Sequence, residues 1–149
     1  MRIKNFYLND ELILELGKFT VLWNLFEENH CSNNCTPSVI EAIGNQLVID
    51  ETKRRELYMV INIRRVWFLE TAEQYARISL HPGNARMSRE HYINYIRDFI
   101  EYKGNDLNIG CLLVIHRIRN NLMHGLKIAE QLNDQLDLFK AVNGVLESI

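Results

Sequence analysis

One short string gathers the side chains with the most chemistry to offer. Between Asp106 and Glu130 the chain has no acidic residue, whereas His116, Arg117, Arg119, His124 and Lys127 all fall there. The chain as a whole is mildly acidic, with a net charge of −2 over 149 residues, so this is a local reversal of sign. Its centre reads Arg119-Asn120-Asn121-Leu122-Met123-His124-Gly125. A histidine titrating at about 6.5 takes a proton from a hydroxyl, or gives one to a leaving oxygen, near neutral pH. An arginine holds a phosphate by two parallel N–H bonds and stabilises the charge that builds on it.

Spacing bears on which arginine can work with His124. At about 100° per helical residue, Arg119 and His124 point roughly 140° apart, whereas Arg117 and His124 share a face with Asn121 between them. Arg119 therefore needs a local distortion at Asn120-Asn121, which are poor helix formers, or a second subunit that completes the site. Another Arg and His pair, Arg86 and His91, lacks the following Asn and sits beside a loop, and it reads as a coincidental match.

The elements that carry these residues read as helices. Two prolines and seven glycines punctuate the chain, and apolar residues recur at three and four almost everywhere. A first helix is expected from about Asp10 to His30, capped by Asn9, with Asp10 and Glu11 at its positive end and Leu8 stapled onto Ile13. Its stripe is Leu12, Leu16, Phe19, Trp23 and Phe26. Thr36-Pro37 starts a second helix after a loop. From Asp50 a single helix of about thirty residues is expected, through Leu57, Ile61, Phe68, Ala72 and Tyr75 to a break at His81-Pro82-Gly83-Asn84. Another runs from about Ser88 to Tyr102 and ends at Lys103-Gly104, the motif helix runs from about Leu107 past His124, and a last one follows from about Asn133. No segment shows sustained period-two alternation, so the expectation is an all-α bundle of five or six helices without a sheet, in one domain over residues 1–149.

Arg-Asn followed by His-Gly, inside a helix preceded by apolar Cys111 to Ile115, resembles the HEPN superfamily, whose mark is Arg-x(4–6)-His with a polar residue, often Asn, directly after the Arg. Phe19-x-x-x-Trp23-x-x-Phe26-Glu27 looks like the aromatic first helix of many HEPN domains, so the resemblance covers most of the chain, with Ser88 to Lys103 as an insertion. It implies a helical bundle that dimerises and cuts RNA without metal or cofactor. Arg119, with Asn120 behind it, and His124 match the motif, while Arg117 with His124 fits the looser spacing. The implied products are a 2′,3′-cyclic phosphate and a 5′-hydroxyl, because the attacking 2′-OH belongs to the RNA. The same resemblance implies a toxin–antitoxin or phage-defence setting, with an antitoxin or nucleotidyltransferase-type partner. The alternative is a HEPN-like module that no longer cuts and binds a nucleotide, an RNA or a partner protein.

Composition narrows the classes further. A pI near 6.2 argues against wholesale polyanion binding and leaves any RNA contact to a local patch. Neither a signal peptide nor an apolar run of about eighteen residues is found, so no membrane span is expected. Three cysteines, an odd number without an export signal, predict free thiols at Cys31, Cys35 and Cys111 and a cytoplasmic location. His30, Cys31 and Cys35 could offer zinc ligands, but no fourth lies near and the spacing is not that of a finger, so no metal is expected. Lys53-Arg54-Arg55 and Arg64-Arg65 read as solvated helix faces, or as guides for an RNA backbone. His116 reads as a surface or hydrogen-bonded histidine, and Glu27 as an exposed salt-bridging residue or one that orients a catalytic group.

The motif helix also predicts an interface. Cys111, Val114, Ile115, Ile118 and Leu122 form one face, and Leu112, Leu113 and Met123 lie opposite, where an exposed helix would be polar. Two copies packed there about a two-fold axis would bring Arg119 of one chain towards His124 of the other.

Overall fold

Helix boundaries fall where local chemistry sets them. The computed structural model describes residues 1–80, 87–123 and 129–149. Within these lie α1 (Asp10–His30), α2 (Pro37–Gly44), α3 (Glu51–Ile63), α4 (Arg65–Ser79), α5 (Arg89–Glu101), α6 (Leu107–Met123) and α7 (Leu136–Glu147), with a 3-10 segment over Ala129–Gln135. Thr36, Asp50 and Ser88 cap α2, α3 and α5 by accepting the N–H of Val39, Lys53 and His91. After α5, Tyr102 turns the chain with a left-handed φ of 53°. Asn9 does not cap α1 with its side chain; its N–H donates instead to Asn133 Oδ1, and Asn133 Nδ2 donates to the Tyr7 carbonyl.

Two expectations about the elements need correction. A short antiparallel hairpin pairs β1 (Arg2–Ile3) with β2 (Phe6–Tyr7), so the fold is an all-α bundle with a small sheet appended. Strands of two residues are too short for alternation to register in the sequence. The long helix after Asp50 is interrupted at Arg64, which raises the number of described α-helices to seven. Ile61 and Phe68, buried on either side of Arg64, are seven residues apart, so the apolar period reads straight through a break that no Pro or Gly marks. The expected break at His81-Pro82-Gly83-Asn84 lies outside the described residues.

α6 runs through the middle of the bundle. Ile109, Leu112, Leu113, Val114 and Ile115 are all buried, because α2, α3, α4 and α5 pack around α6. Two glycines permit the closest approaches: a Cβ on Gly110 would run into the Tyr95 carbonyl of α5, and one on Gly44 would lie 2.6 Å from Ile109 Cγ1. The expected free face of Leu112 and Leu113 is thus filled by the chain's own helices, as befits a helix that is apolar on every side; the Met123 side chain lies outside the described part. Large apolar side chains are exposed elsewhere, at Leu14, Val21 and Leu25 on α1 and at Met59, Ile63 and Val66 around the α3–α4 junction. α1 packs on α7, with the Phe19 and Phe139 rings 5.8 Å apart and Asn143 Nδ2 donating to the Glu15 carbonyl and carboxylate.

No helix among the described residues is long and apolar enough to cross a membrane.

Candidate functional site

Half-way along, α6 changes from apolar to polar without leaving the interior. His116, Arg117, Asn120 and Asn121 are all buried, and Arg119 is half-buried between them. The helix stays α-helical through Asn120 and Asn121 to Met123, so the distortion that would rotate Arg119 towards His124 is absent from the described residues. His124 itself, with Gly125 and Lys127, lies outside them.

Arg117 and Asn121, one turn apart, are joined by a 2.9 Å bond from Arg117 Nη2 to Asn121 Oδ1. The Arg117 guanidinium lies over the Tyr75 ring, 4.7 Å from its centroid, and so is held between α6 and α4. Arg117 Nε and Asn121 Nδ2 have no hydrogen-bond partner among the described residues, and Arg117 is in none of the ion pairs found there. Arg119 Nη1 donates to Asn120 Oδ1 at 3.2 Å. Arg117, Asn120 and Asn121 line a cleft of about 310 Å3 whose other wall is α4, at Thr71, Gln74 and Tyr75. The cleft therefore gathers Arg117 with Asn120, and Arg119 reaches it only through its bond to Asn120.

Beneath the cleft lies an aromatic layer. Tyr75 and Tyr92 have ring centroids 5.2 Å apart, His116 meets Tyr75 edge-on at 5.9 Å, and Trp23 of α1 lies 6.3 Å from His116. Burial, reinforced by the charges of Arg117 and Arg119, pushes the His116 imidazole down to about 4, so it is neutral at physiological pH. Its Nδ1 has no partner among the described residues. Of the two expectations for His116, a surface residue or a hydrogen-bonded one, the first is overturned by its burial, and the side chain lacks the titration that acid–base work near pH 7 requires. Burial raises the Tyr75 phenol, and the positive charge of Arg117 opposes the shift.

The remaining candidates are structural. Cys31 and Cys35 form a disulfide, which corrects the expectation of free thiols and commits the two sulfurs that zinc would have used. Positive φ at Ser32 and Asn33 folds the loop back and brings the two Cα atoms to 5.1 Å, a turn that residue spacing does not announce. The reduced-thiol argument for a cytoplasmic location loses two of its three cysteines. Cys111 is a free, buried thiol on α6, pushed up to about 12 by burial. Glu27 accepts the Cys35 N–H at 3.5 Å, and so supports the disulfide loop. His30 packs on Phe26. Among the described residues no three His, Cys, Asp or Glu side chains are grouped to hold a metal.

The basic runs are not wholly solvated either. Arg54 is half-buried, donating to the Tyr102 hydroxyl and to Asn108 Oδ1, and Arg64 donates to the Asp134 carbonyl. Of the decoy pair, His91 is exposed on α5 and Arg86 lies outside the described residues.

Tyr75 and Tyr92 are the site residues that sequence reading missed. Tyr75 fitted the apolar stripe of its helix, and nothing in its spacing signalled that Arg117 would stack on it.

Comparison with known protein families, with curated proteins and with solved structures finds no match to this chain.

Proposed function

We propose that this chain is a metal-independent endoribonuclease of the HEPN type, acting in a toxin–antitoxin or phage-defence setting as a homodimer. One observation carries the reading: Arg117 is buried without a carboxylate partner among the described residues, and it lines an open cleft together with the amides of Asn120 and Asn121. An uncompensated buried charge destabilises a fold, and such a charge on the wall of a cleft is well suited to a ligand of opposite sign. Arginine with amide donors, and no acidic side chain on the same wall, suits a phosphodiester.

In this reading Arg117 grips the scissile phosphate and stabilises the charge that grows on its oxygens as the ribose 2′-OH attacks. His124, seven residues further on, takes the 2′-OH proton or protonates the leaving 5′-oxygen. Asn120 ties Arg119 to the rim of the same cleft, where Arg119 adds positive charge. The products are a 2′,3′-cyclic phosphate and a 5′-hydroxyl, and DNA, lacking the nucleophile, is not cut.

The test is incubation of the purified protein with total RNA in EDTA, beside His124→Ala. Cleavage that persists in EDTA, leaves cyclic phosphate ends and falls about 10²-fold or more in the variant is the expected result. RNA binding without cleavage would instead support the binding module, an alternative favoured by the placement of Arg119, the motif's own arginine, outside the cleft wall.

A further inference from the structure

We propose that the cleft of Arg117 continues past Tyr75 into a nucleobase subsite in which Glu41 selects bases that carry an amino group. The inference rests on reading the Arg117 cleft as a phosphate site, and it adds the substrate preference of that site.

A second cleft, of about 680 Å3, opens between α4 and the start of α2. Tyr75 and Ser79 line both clefts, so the two adjoin there. Their linings carry opposite charge. The first is lined by Arg117 with Asn120 and Asn121; the second is lined by Glu41, with Ser38 and Asn34. Glu41 Oε2 accepts the Tyr95 hydroxyl at 2.7 Å, which fixes the carboxylate against α5. Its other oxygen has no hydrogen-bond partner among the described residues, and Glu41 forms no ion pair there.

A nucleotide has the complementary polarity. Its phosphate is drawn to Arg117 and repelled by Glu41, which sets the direction in which it lies. Its base then faces a carboxylate, which accepts hydrogen bonds and donates none. The exocyclic amino group of cytosine satisfies it, as those of adenine and guanine do, whereas uracil presents a carbonyl oxygen at that position. Tyr75 lines both clefts and offers an apolar ring edge or face to the sugar and base.

The experiment is calorimetric titration of the full chain with cytidine 3′-monophosphate, uridine 3′-monophosphate and inorganic phosphate. The two nucleotides differ chiefly in an amino group against a carbonyl. Cytidine monophosphate is expected to bind about tenfold more tightly than uridine monophosphate. Glu41→Gln, which retains an acceptor for Tyr95, is expected to bring that ratio to about one, while phosphate binding, no longer opposed by the carboxylate, persists or tightens. Arg117→Met should remove phosphate binding. Equal affinities in the unaltered protein, an unchanged ratio in Glu41→Gln, or no saturation by either nucleotide up to about 10 mM would overturn the subsite. The comparison in the unaltered protein stands even where a variant misfolds. RNA cleavage that depends on His124 alongside equal affinities would sink the subsite and spare the ribonuclease. Selective binding without cleavage would do the reverse.

Discussion

From Ile109 to Ile115 every residue of α6 is buried, and apart from Gly110 and the Cys111 thiol all are aliphatic; from His116 to Asn121, four of six residues are buried and polar. Both halves belong to one helix, the first fully enclosed and the second buried except at half-buried Arg119. In the first half burial is the stabilising term, worth about 25 cal/mol per Å2 of apolar surface. In the second half burial costs stability, because His116 Nδ1, Arg117 Nε and Asn121 Nδ2 have given up water without gaining a partner among the described residues. The contrast separates residues whose burial stabilises the bundle from residues whose burial does not. Substitutions should therefore behave oppositely in the two halves.

The largest stability effect belongs to the apolar half. Leu113→Ala is expected to cost about 3 to 4 kcal/mol in a urea unfolding titration, since the enclosed position cannot collapse freely around the lost methyls. A loss of under about 1 kcal/mol would mean that α6 is not the centre of the bundle.

His116 supplies the next effect, through pH. Its folded value of about 4 is below the unfolded value near 6.5, so on acidification the unfolded chain takes up this proton first. The stability tied to neutral His116 is present above about pH 6.5 and is lost as pH falls towards 4. Between about pH 7 and about pH 5 that loss should be about 2 kcal/mol, and His116→Phe, which keeps a ring between Trp23 and Tyr75, should not show it. Unfolding curves of the two proteins with parallel pH profiles would contradict the burial of this imidazole.

The smallest and most diagnostic stability change is at Arg117. Arg117→Met replaces a buried charge that has no carboxylate partner among the described residues by an apolar chain of similar reach, and should leave stability unchanged or raise it by about 1 kcal/mol. A strong loss of stability would show that Arg117 is there for the fold and would erase the contrast between the halves.

Much of this arrangement was legible in the residues. Of the stripe Leu12, Leu16, Phe19, Trp23 and Phe26, all are buried except half-buried Leu16, and Thr36 caps α2 as expected, whereas Asn9 does not cap α1. Arg117 and Asn121 share a face because they are one turn apart, and geometry alone favoured Arg117 over Arg119 as the partner for that side of the helix. Periodicity did not reveal how many neighbours would surround α6. An apolar face opposite a core face looks the same whether another subunit or the chain's own α2 and α5 cover it, so spacing alone points Leu112 and Leu113 at a second subunit. The break at Arg64 and the Cys31–Cys35 disulfide escaped for a related reason. Each depends on the dihedral angles of one or two residues, Arg64 in one case and Ser32 and Asn33 in the other, and these leave no pattern in residue type.

In the proposed function α6 keeps Arg117 buried so that it holds a phosphate during metal-free RNA cleavage. This role is tested most directly by the rate of cleavage of a single-stranded RNA in EDTA, measured for Arg117→Met beside Arg119→Ala and the unaltered protein. Arg117→Met is expected to lower the rate about 10²-fold or more with folding intact, and Arg119→Ala to lower it less. Full activity in Arg117→Met, or cleavage that EDTA abolishes and magnesium restores, would contradict it.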